Sequence, residues 1–99
     1  MIKQSIALIT GVSGQDGSLL AELLLSKGYK VVGLMKETSS KDNLKDIISN
    51  PNLEIVYGDL LNSDLIQYLV KTFQFDEIYN LASQSNVRLS YNNPLLTFN

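Results

Sequence analysis

The sequence predicts an α/β fold in which a doubly wound parallel sheet carries helices on both faces. Four short apolar runs alternate with segments of helical periodicity along the 99 residues. Three glycines spaced three apart follow the first run, and polar or small residues follow all four runs. Because crossovers between parallel strands are right-handed, this alternation predicts a sheet with the strand order 3-2-1-4.

The first predicted unit is a strand, a helix and a second strand. The apolar residues 6–9 predict a buried strand, which a glycine turn joins to a helix beginning at about Asp16 or Gly17. Gly28 suits the end of that helix, and Lys30–Met35 form the second strand, so the unit is a βαβ of about thirty residues. The helical spacing predicts an apolar face made of Leu19, Leu20, Ala21, Leu23 and Leu24.

The rest of the chain repeats this alternation. Residues 42–48 predict a short helix, Leu53–Tyr57 a third strand, and residues 77–82 a fourth strand. The helix between the last two strands is capped by Asn62 or Ser63, and its expected buried face is Leu65, Ile66, Leu69, Val70 and Phe73. A loop over residues 83–92 then leads to Asn93 and Pro94, which predict the start of another helix.

Composition excludes several function classes. The net charge is −2 and no basic stripe is present, so we expect no nucleic-acid partner. Absence of Cys and His removes thiolate chemistry, disulfides and the commonest metal ligands, so no metal site is expected. The N-terminus lacks signal-peptide features, and the longest apolar run, 19–25, is too short to span a bilayer. We therefore expect a cytoplasmic protein without a membrane partner.

The glycine turn predicts an anion site. Glycine lets a backbone approach a ligand closely, and the unpaired N–H groups of the following helix favour a negative charge such as a dinucleotide pyrophosphate. The alternative is a glycine-rich βα turn that binds nothing, and Asp16 could serve only the helix start. The predicted cofactor-binding residues of this turn are Gly11, Val12, Ser13, Gly14, Gln15, Asp16 and Gly17.

The second strand end is expected to face the adenosine ribose of such a cofactor. A carboxylate there holds the 2′-hydroxyl of NAD, whereas a cation accommodates the 2′-phosphate of NADP. The sequence offers both, because the candidate residues are Lys36, Glu37, Thr38 and Ser39. The alternative is a solvated loop.

The third and fourth strand ends complete the expected groove. Asp59 can accept the adenine amine and Leu60 can pack on the ring, although Asp59 could instead be only a turn former. The stretch beside the nicotinamide ribose is Leu81, Ala82, Ser83, Gln84 and Ser85, of which the first two could be plain core. Ligands of open α/β sheets bind at these carboxyl ends, so the four stretches together predict a Rossmann-like cofactor fold.

The motifs resemble a known family. Thr10-Gly11-x-x-Gly14-x-x-Gly17 resembles the signature of extended short-chain dehydrogenases, and YGDL (57–60) with DEIYNLASQSNV (76–87) is similar to the GDP-mannose 4,6-dehydratase family. The resemblance covers roughly residues 6–94. It implies an NADP-dependent lyase that oxidises C4 of a nucleotide-linked hexose, eliminates water across C5 and C6 and returns the hydride to C6. It also implies a homo-oligomer.

The chain departs from that family pattern at several positions. Lys36 and Glu37 stand where the family usually has paired arginines, Asn86 replaces a histidine, and Leu96 replaces a tyrosine. Lys36 is a point charge rather than a bidentate fork, and Glu37 reverses the second charge, so NAD is the alternative cofactor. The alternative function is another nucleotide-sugar epimerase or reductase of the same superfamily.

The catalytic set that the resemblance implies is a Tyr with a Lys four residues later, a Ser or Thr, and a Glu. None of the five tyrosines has such a Lys, so no catalytic residue is assigned within residues 1–99. We expect these residues to form the N-terminal part of an NAD(P)-binding domain, inactive by itself. The rest of that domain, the substrate lobe and the catalytic residues are expected beyond residue 99. The remaining alternative is a regulatory protein that binds a dinucleotide without catalysis.

Overall fold

In the part of the chain that the structure describes, four strands form one parallel sheet, and the connections between them lie on both of its faces. The computed structural model describes residues 3–82. The strands, in chain order, are β1 (Ile6–Thr10), β2 (Lys30–Met35), β3 (Leu53–Tyr57) and β4 (Glu77–Asn80). The helical elements are α1 (Gln15–Ser26), a 3-10 turn (Asp42–Leu44) and α2 (Ser63–Phe73).

The strand order is β3-β2-β1-β4 with every pair parallel, which confirms the predicted α/β fold and its 3-2-1-4 topology. In the register of the sheet, Thr10 lies opposite Leu34 of β2 on one side and Asn80 of β4 on the other. The carboxyl ends of the three strands therefore meet at one edge of the sheet.

Two apolar cores sandwich the sheet because side chains alternate between its faces. Ala7 and Ile9 pack with α1 and with Leu44 of the 3-10 turn. Leu8 points the other way and packs with α2. All the residues of β1 after Ile6 are buried, as expected for a central strand covered on both faces.

The buried face of α1 differs from the predicted one. Leu19 and Leu23 are 58% and 51% exposed, and Leu20 is only partly buried. The buried residues are Gly17, Ser18, Ala21, Leu24 and Leu25. The physical reason is that the start of α1 packs directly against the glycine turn, where only small residues fit, and this contact sets the rotation of the whole helix.

Two other element boundaries also differ from the prediction. Residues 42–48 form successive turns rather than one helix, because Leu44 and Ile47 both face the core and a spacing of three suits i to i+3 turns. β4 ends at Asn80, two residues early. Leu81 N still donates to Thr10 O at 3.0 Å, but β1 ends at Thr10 and offers no further partner.

The ends of both helices follow the sequence signals. In α2 the Asn62 side chain accepts a hydrogen bond from Leu65 N, a cap that stabilises a helix by about 1 kcal/mol. At the end of α1, Tyr29 N donates to Leu24 O and Gly28 N to Leu25 O, with Gly28 at φ +86°. This is the Schellman arrangement that a glycine at this position favours.

The start of β4 is fastened to the start of β1 by Asp76. Its Oδ2 accepts Ile6 N at 2.9 Å, and its Oδ1 forms an ion pair with Lys3 Nζ at 3.1 Å. Asp76 N also donates to Ile6 O at 2.8 Å. The hydrogen bond from the Ile6 amide, followed by that from Lys3, lowers the pKa of the Asp76 carboxyl below 3.8.

We predict that replacing Asp76 by Asn lowers the stability of the fold at neutral pH and has little effect in acid. A carboxyl whose folded pKa is depressed stabilises the fold above its unfolded pKa, and that contribution is lost as the pH falls through the folded value. Thermal unfolding at about pH 7 and about pH 2.5 should therefore show a gap between wild type and Asp76→Asn that closes in acid.

Asp46→Asn is the matched control for that experiment, since Asp46 is an exposed carboxylate in the turns that follow the 3-10 turn. Its unfolding temperature should follow the wild-type curve at both pH values. If Asp76→Asn also ran parallel to wild type, the anchoring role of the Asp76 carboxylate would be wrong.

Candidate cofactor site

The cavity at the carboxyl edge of the sheet has a volume of about 590 Å³. It lies where β1 stands between β2 and β4, the point at which the strand order reverses. Ligands of open α/β sheets bind in this place. The lining residues come from all four strand ends: Thr10, Gly11, Ser13, Gly14, Gln15, Asp16, Gly17, Leu34, Met35, Lys36, Ser39, Gly58, Asp59, Leu60, Leu81 and Ala82.

The glycine turn is held close to its neighbours by backbone hydrogen bonds. Gly11 N donates to Leu34 O at 3.0 Å. Gly11 has φ +72°, and a Cβ there would lie 2.6 Å from the Cα of Ala82. A Cβ on Gly17 would collide with the carbonyl oxygen of Gly11. Both glycines are therefore required by the packing of the turn itself.

Gly14 has a different role from the other two glycines of the turn. Its backbone, at φ −72° and ψ 169°, is open to any residue. A Cβ there would meet nothing closer than the Gly11 carbonyl oxygen at 3.4 Å. Since Gly14 lines the cavity, the missing side chain leaves room in the cavity instead of relieving a clash within the fold. This is the geometry that a closely approaching phosphate group requires.

The N-terminus of α1 opens into the same cavity. The first helical amide with a carbonyl partner is that of Ser18, which donates to Gly14 O at 2.9 Å. The amides of Gln15, Asp16 and Gly17 precede it, all three residues line the cavity, and no side chain caps this end. Such amides together with the helix dipole favour an anion, by roughly 0.3–1 kcal/mol for the dipole. The exposed Asp16 also occupies the first helical turn, so both of its predicted roles remain open.

At the end of β2 the structure separates the four predicted ribose contacts. Lys36 and Ser39 line the cavity, joined by a tight turn in which Ser39 N donates to Lys36 O at 3.0 Å. Glu37 and Thr38 occupy the exposed middle of that turn and do not line the cavity. Lys36 and the hydroxyl-bearing Ser39 therefore belong to the cavity lining, whereas Glu37 lies outside it.

The ends of β3 and β4 supply the remaining walls. Asp59 Oδ1 accepts Leu61 N at 2.9 Å, so Asp59 shapes a turn as well as lining the cavity. Leu60 is only 7% exposed and joins the core on the α2 face. Leu81 and Ala82 line the cavity beside the glycine turn. The predicted contacts Ser83, Gln84 and Ser85, like the helix predicted at Asn93 and Pro94, lie outside the described residues.

Besides Glu37 and Thr38, a third predicted contact lies outside the cavity lining, and four residues of the lining were not predicted. The side chain of Val12 is fully buried in the α1 core and does not line the cavity. The missed residues are Thr10, Leu34, Met35 and Gly58. Each lies within the last two residues of its strand or follows the strand directly, so extending the predicted stretches back by one or two residues would have included them. Thr10 also links two strand ends, since its Oγ1 donates to Asn80 Oδ1 at 2.5 Å.

Another polar cluster, outside the cavity lining, consists of Tyr29, Glu77 and Tyr79. Both tyrosine hydroxyls donate to the Glu77 carboxylate, from Tyr29 at 2.8 Å and from Tyr79 at 2.6 Å. These hydrogen bonds, with burial, raise the pKa of Tyr29 and raise the pKa of Tyr79 to about 12. The phenols therefore stay protonated at neutral pH and tie β4 to the segment that follows α1.

Residues 3–82 contain neither a candidate metal site nor a membrane-spanning helix. Within that range no three His, Cys, Asp or Glu side chains are grouped closely enough to hold a metal ion. None of the helices in the same range has the length and hydropathy needed to cross a membrane.

Comparison with known proteins points to one family. The family model for GDP-mannose 4,6 dehydratase matches residues 8–99. GDP-mannose 4,6 dehydratase 2 of Caenorhabditis elegans is 42% identical over 104 residues, covering 96% of this chain and 27% of that protein. The chain spans about a quarter of the length of the curated relatives it matches.

Solved structures with the same fold include proteins crystallised with NAD. The Bordetella bronchiseptica enzyme WbmH in complex with NAD+ superimposes with a TM-score of 0.70 at 35% identity, over 93% of this chain and 28% of that one. The dTDP-glucose 4,6-dehydratase of Bacillus anthracis in complex with NAD gives 0.72 at 27% identity, over 82% and 27%. With the family match extending over residues 8–99, the chain belongs to the GDP-mannose 4,6-dehydratase family.

Proposed function

We propose that residues 1–99 supply the N-terminal, cofactor-binding part of a nucleotide-sugar 4,6-dehydratase whose substrate is GDP-mannose. The observation that carries the cofactor proposal is the space at Gly14, beside the unpaired amides at the start of α1. At the other two glycines of the turn, the packing leaves no room for a Cβ. At Gly14, neither the backbone angles nor the packing of the fold excludes a side chain. Family membership and the names of the relatives support the substrate and the dehydratase reaction.

Each wall of the cavity has a proposed part in holding the dinucleotide. The amides of Gln15, Asp16 and Gly17 face its pyrophosphate, and Lys36 with Ser39 faces the adenosine ribose. Asp59 and Leu60 flank the adenine, and Leu81 with Ala82 lies toward the nicotinamide ribose. When bound, the cofactor supplies a reversible hydride acceptor. The protein residues orient it and exclude water from one side of it.

The preferred cofactor in this proposal is NADP, with NAD as the alternative. Lys36 and Ser39 line the cavity while Glu37 does not, so the cation rather than the carboxylate faces the ribose region. A cation there favours a 2′-phosphate. The NAD complexes of the structural relatives support the alternative. The catalytic residues, and any assembly into a homo-oligomer, are proposed to lie with the remainder of the whole protein.

We predict that Gly14→Ala weakens dinucleotide binding by about tenfold or more, because the added methyl occupies space meant for the pyrophosphate. The free energy of unfolding should change by less than about 1 kcal/mol, since the Gly14 backbone angles suit alanine. Fluorescence titration of NADH and NADPH into the whole protein measures the affinity, and thermal unfolding measures the stability.

Gly28→Ala is the matched control for the glycine substitution. Gly28 lies at the opposite end of α1 with φ +86° and with nothing within 4 Å of an added Cβ. Forcing alanine into the left-handed region costs about 1–2 kcal/mol, so this variant loses stability while its affinity for the dinucleotide stays unchanged. Unaltered affinity in Gly14→Ala would contradict the proposed pyrophosphate site.

A second prediction concerns the choice between the two cofactors. Lys36→Ala should lower the affinity for NADPH by about twofold to fivefold, the range of an exposed ion pair, and should leave NADH binding unchanged. Glu37→Ala is the control, because Glu37 does not line the cavity and its loss should alter neither affinity strongly. Wild-type protein that binds NADH more tightly than NADPH would establish the NAD alternative.

A third prediction tests the substrate. The whole protein supplied with GDP-mannose and catalytic amounts of NADP should form a 4-keto-6-deoxy sugar nucleotide without net reduction of the cofactor. Mass spectrometry detects the loss of one water molecule, and absorbance of the keto product in alkali confirms the carbonyl. Cofactor binding without any keto product from GDP-mannose would reject the substrate and favour another nucleotide-sugar enzyme or a non-catalytic binder.

A further inference from the structure

One side chain outside the cavity lining makes a hydrogen bond to the glycine turn from a distant part of the chain. Asn43, in the 3-10 turn between β2 and β3, donates from Nδ2 to the carbonyl oxygen of Ser13 at 3.0 Å. The two residues are thirty positions apart. Ser13 lines the cavity immediately before Gly14, whereas Asn43 does not line it. The bond therefore acts on the cavity indirectly, through the backbone of the glycine turn.

The position of Asn43 is itself fixed by its neighbours. Leu44, the next residue, is fully buried in the same core cluster as Val12 of the glycine turn. Leu44 N donates to Lys41 O at 2.9 Å, and Asp42 N donates to Ser40 Oγ at 3.1 Å. Asn43 thus projects from an anchored segment rather than from a free loop, so its hydrogen bond can orient what it contacts.

The bond orients the peptide group that leads into Gly14. A peptide is planar, so the carbonyl of Ser13 and the amide of Gly14 turn together. Asn43 holds the carbonyl at one end, and the Gly14 amide donates to Gly11 O at 3.1 Å at the other. Without Asn43, this peptide would be held by the Gly14 amide alone. A tilt of the Ser13 carbonyl toward the cavity would then set its negative end against the anion that the amides of α1 attract.

We propose that Asn43 is a positioning residue for dinucleotide binding, which acts by keeping the Ser13 carbonyl turned away from the pyrophosphate. This inference rests on the proposed cofactor function of the cavity. The hydrogen bond also connects two walls of the site, because the segment that carries Asn43 follows Lys36 and Ser39, which line the proposed ribose side of the cavity. Asn43 contributes without touching the ligand.

The test compares substitutions of Asn43 in the whole protein. Asn43→Ala removes the side chain, and Asn43→Asp keeps its shape but replaces the donor with a carboxylate that repels the carbonyl. Both should raise the dissociation constants of NADH and NADPH by about threefold to tenfold, the range of one hydrogen bond, with Asp affected at least as strongly as Ala. Fluorescence titration gives the affinities, and thermal unfolding of the same samples gives their stability.

Asn50→Ala is the matched control in the same connection. Its Oδ1 accepts Asn52 N at 2.8 Å, so the substitution also removes one side chain to backbone hydrogen bond, but at the opposite edge of the sheet from the cavity. It should lower the unfolding temperature by a similar amount and keep both dissociation constants within about twofold of wild type. A purely structural role for Asn43 would instead make the two alanine variants alike in affinity.

The outcomes separate this inference from the function on which it rests. Tight binding by wild type with unchanged affinity in both Asn43 variants overturns the positioning role and leaves the cofactor site intact. An equal loss of affinity in Asn50→Ala also overturns it, because general destabilisation then explains the effect. Wild-type protein that binds neither NADH nor NADPH overturns the cofactor proposal and this inference together.

Discussion

The close approach of Gly17 to the carbonyl oxygen of Gly11 is the contact on which the rest of the structure depends. It brings the start of α1 against the end of β1, and Gly11 in turn lies against the backbone of Ala82 after β4. The end of β1, the start of α1 and the residues after β4 therefore pack closely together, because Gly11 and Gly17 have no side chains. The same contact determines the rotation of α1, because the small residues Gly17 and Ala21 must face inward and Leu19 is left exposed.

The cavity follows from this convergence, and two of its walls are strand ends held in place by a buried leucine. The wall after β2 is held by Leu44, which enters the core on the α1 face. The wall after β3 is held by Leu60, which enters the core on the α2 face. The site is therefore supported from both sides of the sheet, and its geometry depends on packing that does not itself touch a ligand.

Several polar residues at this edge of the sheet make hydrogen bonds within the protein, so their roles include holding the site in shape. Asp59 accepts an amide two residues later, Asn43 holds the Ser13 carbonyl, and Thr10 donates to Asn80. Among the charged side chains of the lining, Lys36 is the cation. The lining also carries the carboxylates of Asp16 and Asp59, so the proposed binding of an anion rests on backbone amides and on this one lysine.

The amino-acid sequence alone determined the bounds of β2 and β3, the glycine turn and a helix cap at Asn62 or Ser63, because alternation, capping and turn chemistry act between near neighbours. It also determined the strand order, because crossovers between parallel strands are right-handed. Only the tertiary structure decided which face of the leucine-rich α1 is buried, since helical spacing there allows more than one apolar face. The tertiary structure also placed Lys36 in the cavity lining and Glu37 outside it, through the turn that the hydrogen bond from Ser39 N to Lys36 O closes. The bond between Asn43 and Ser13 joins residues thirty positions apart, and no local pattern specifies such a contact.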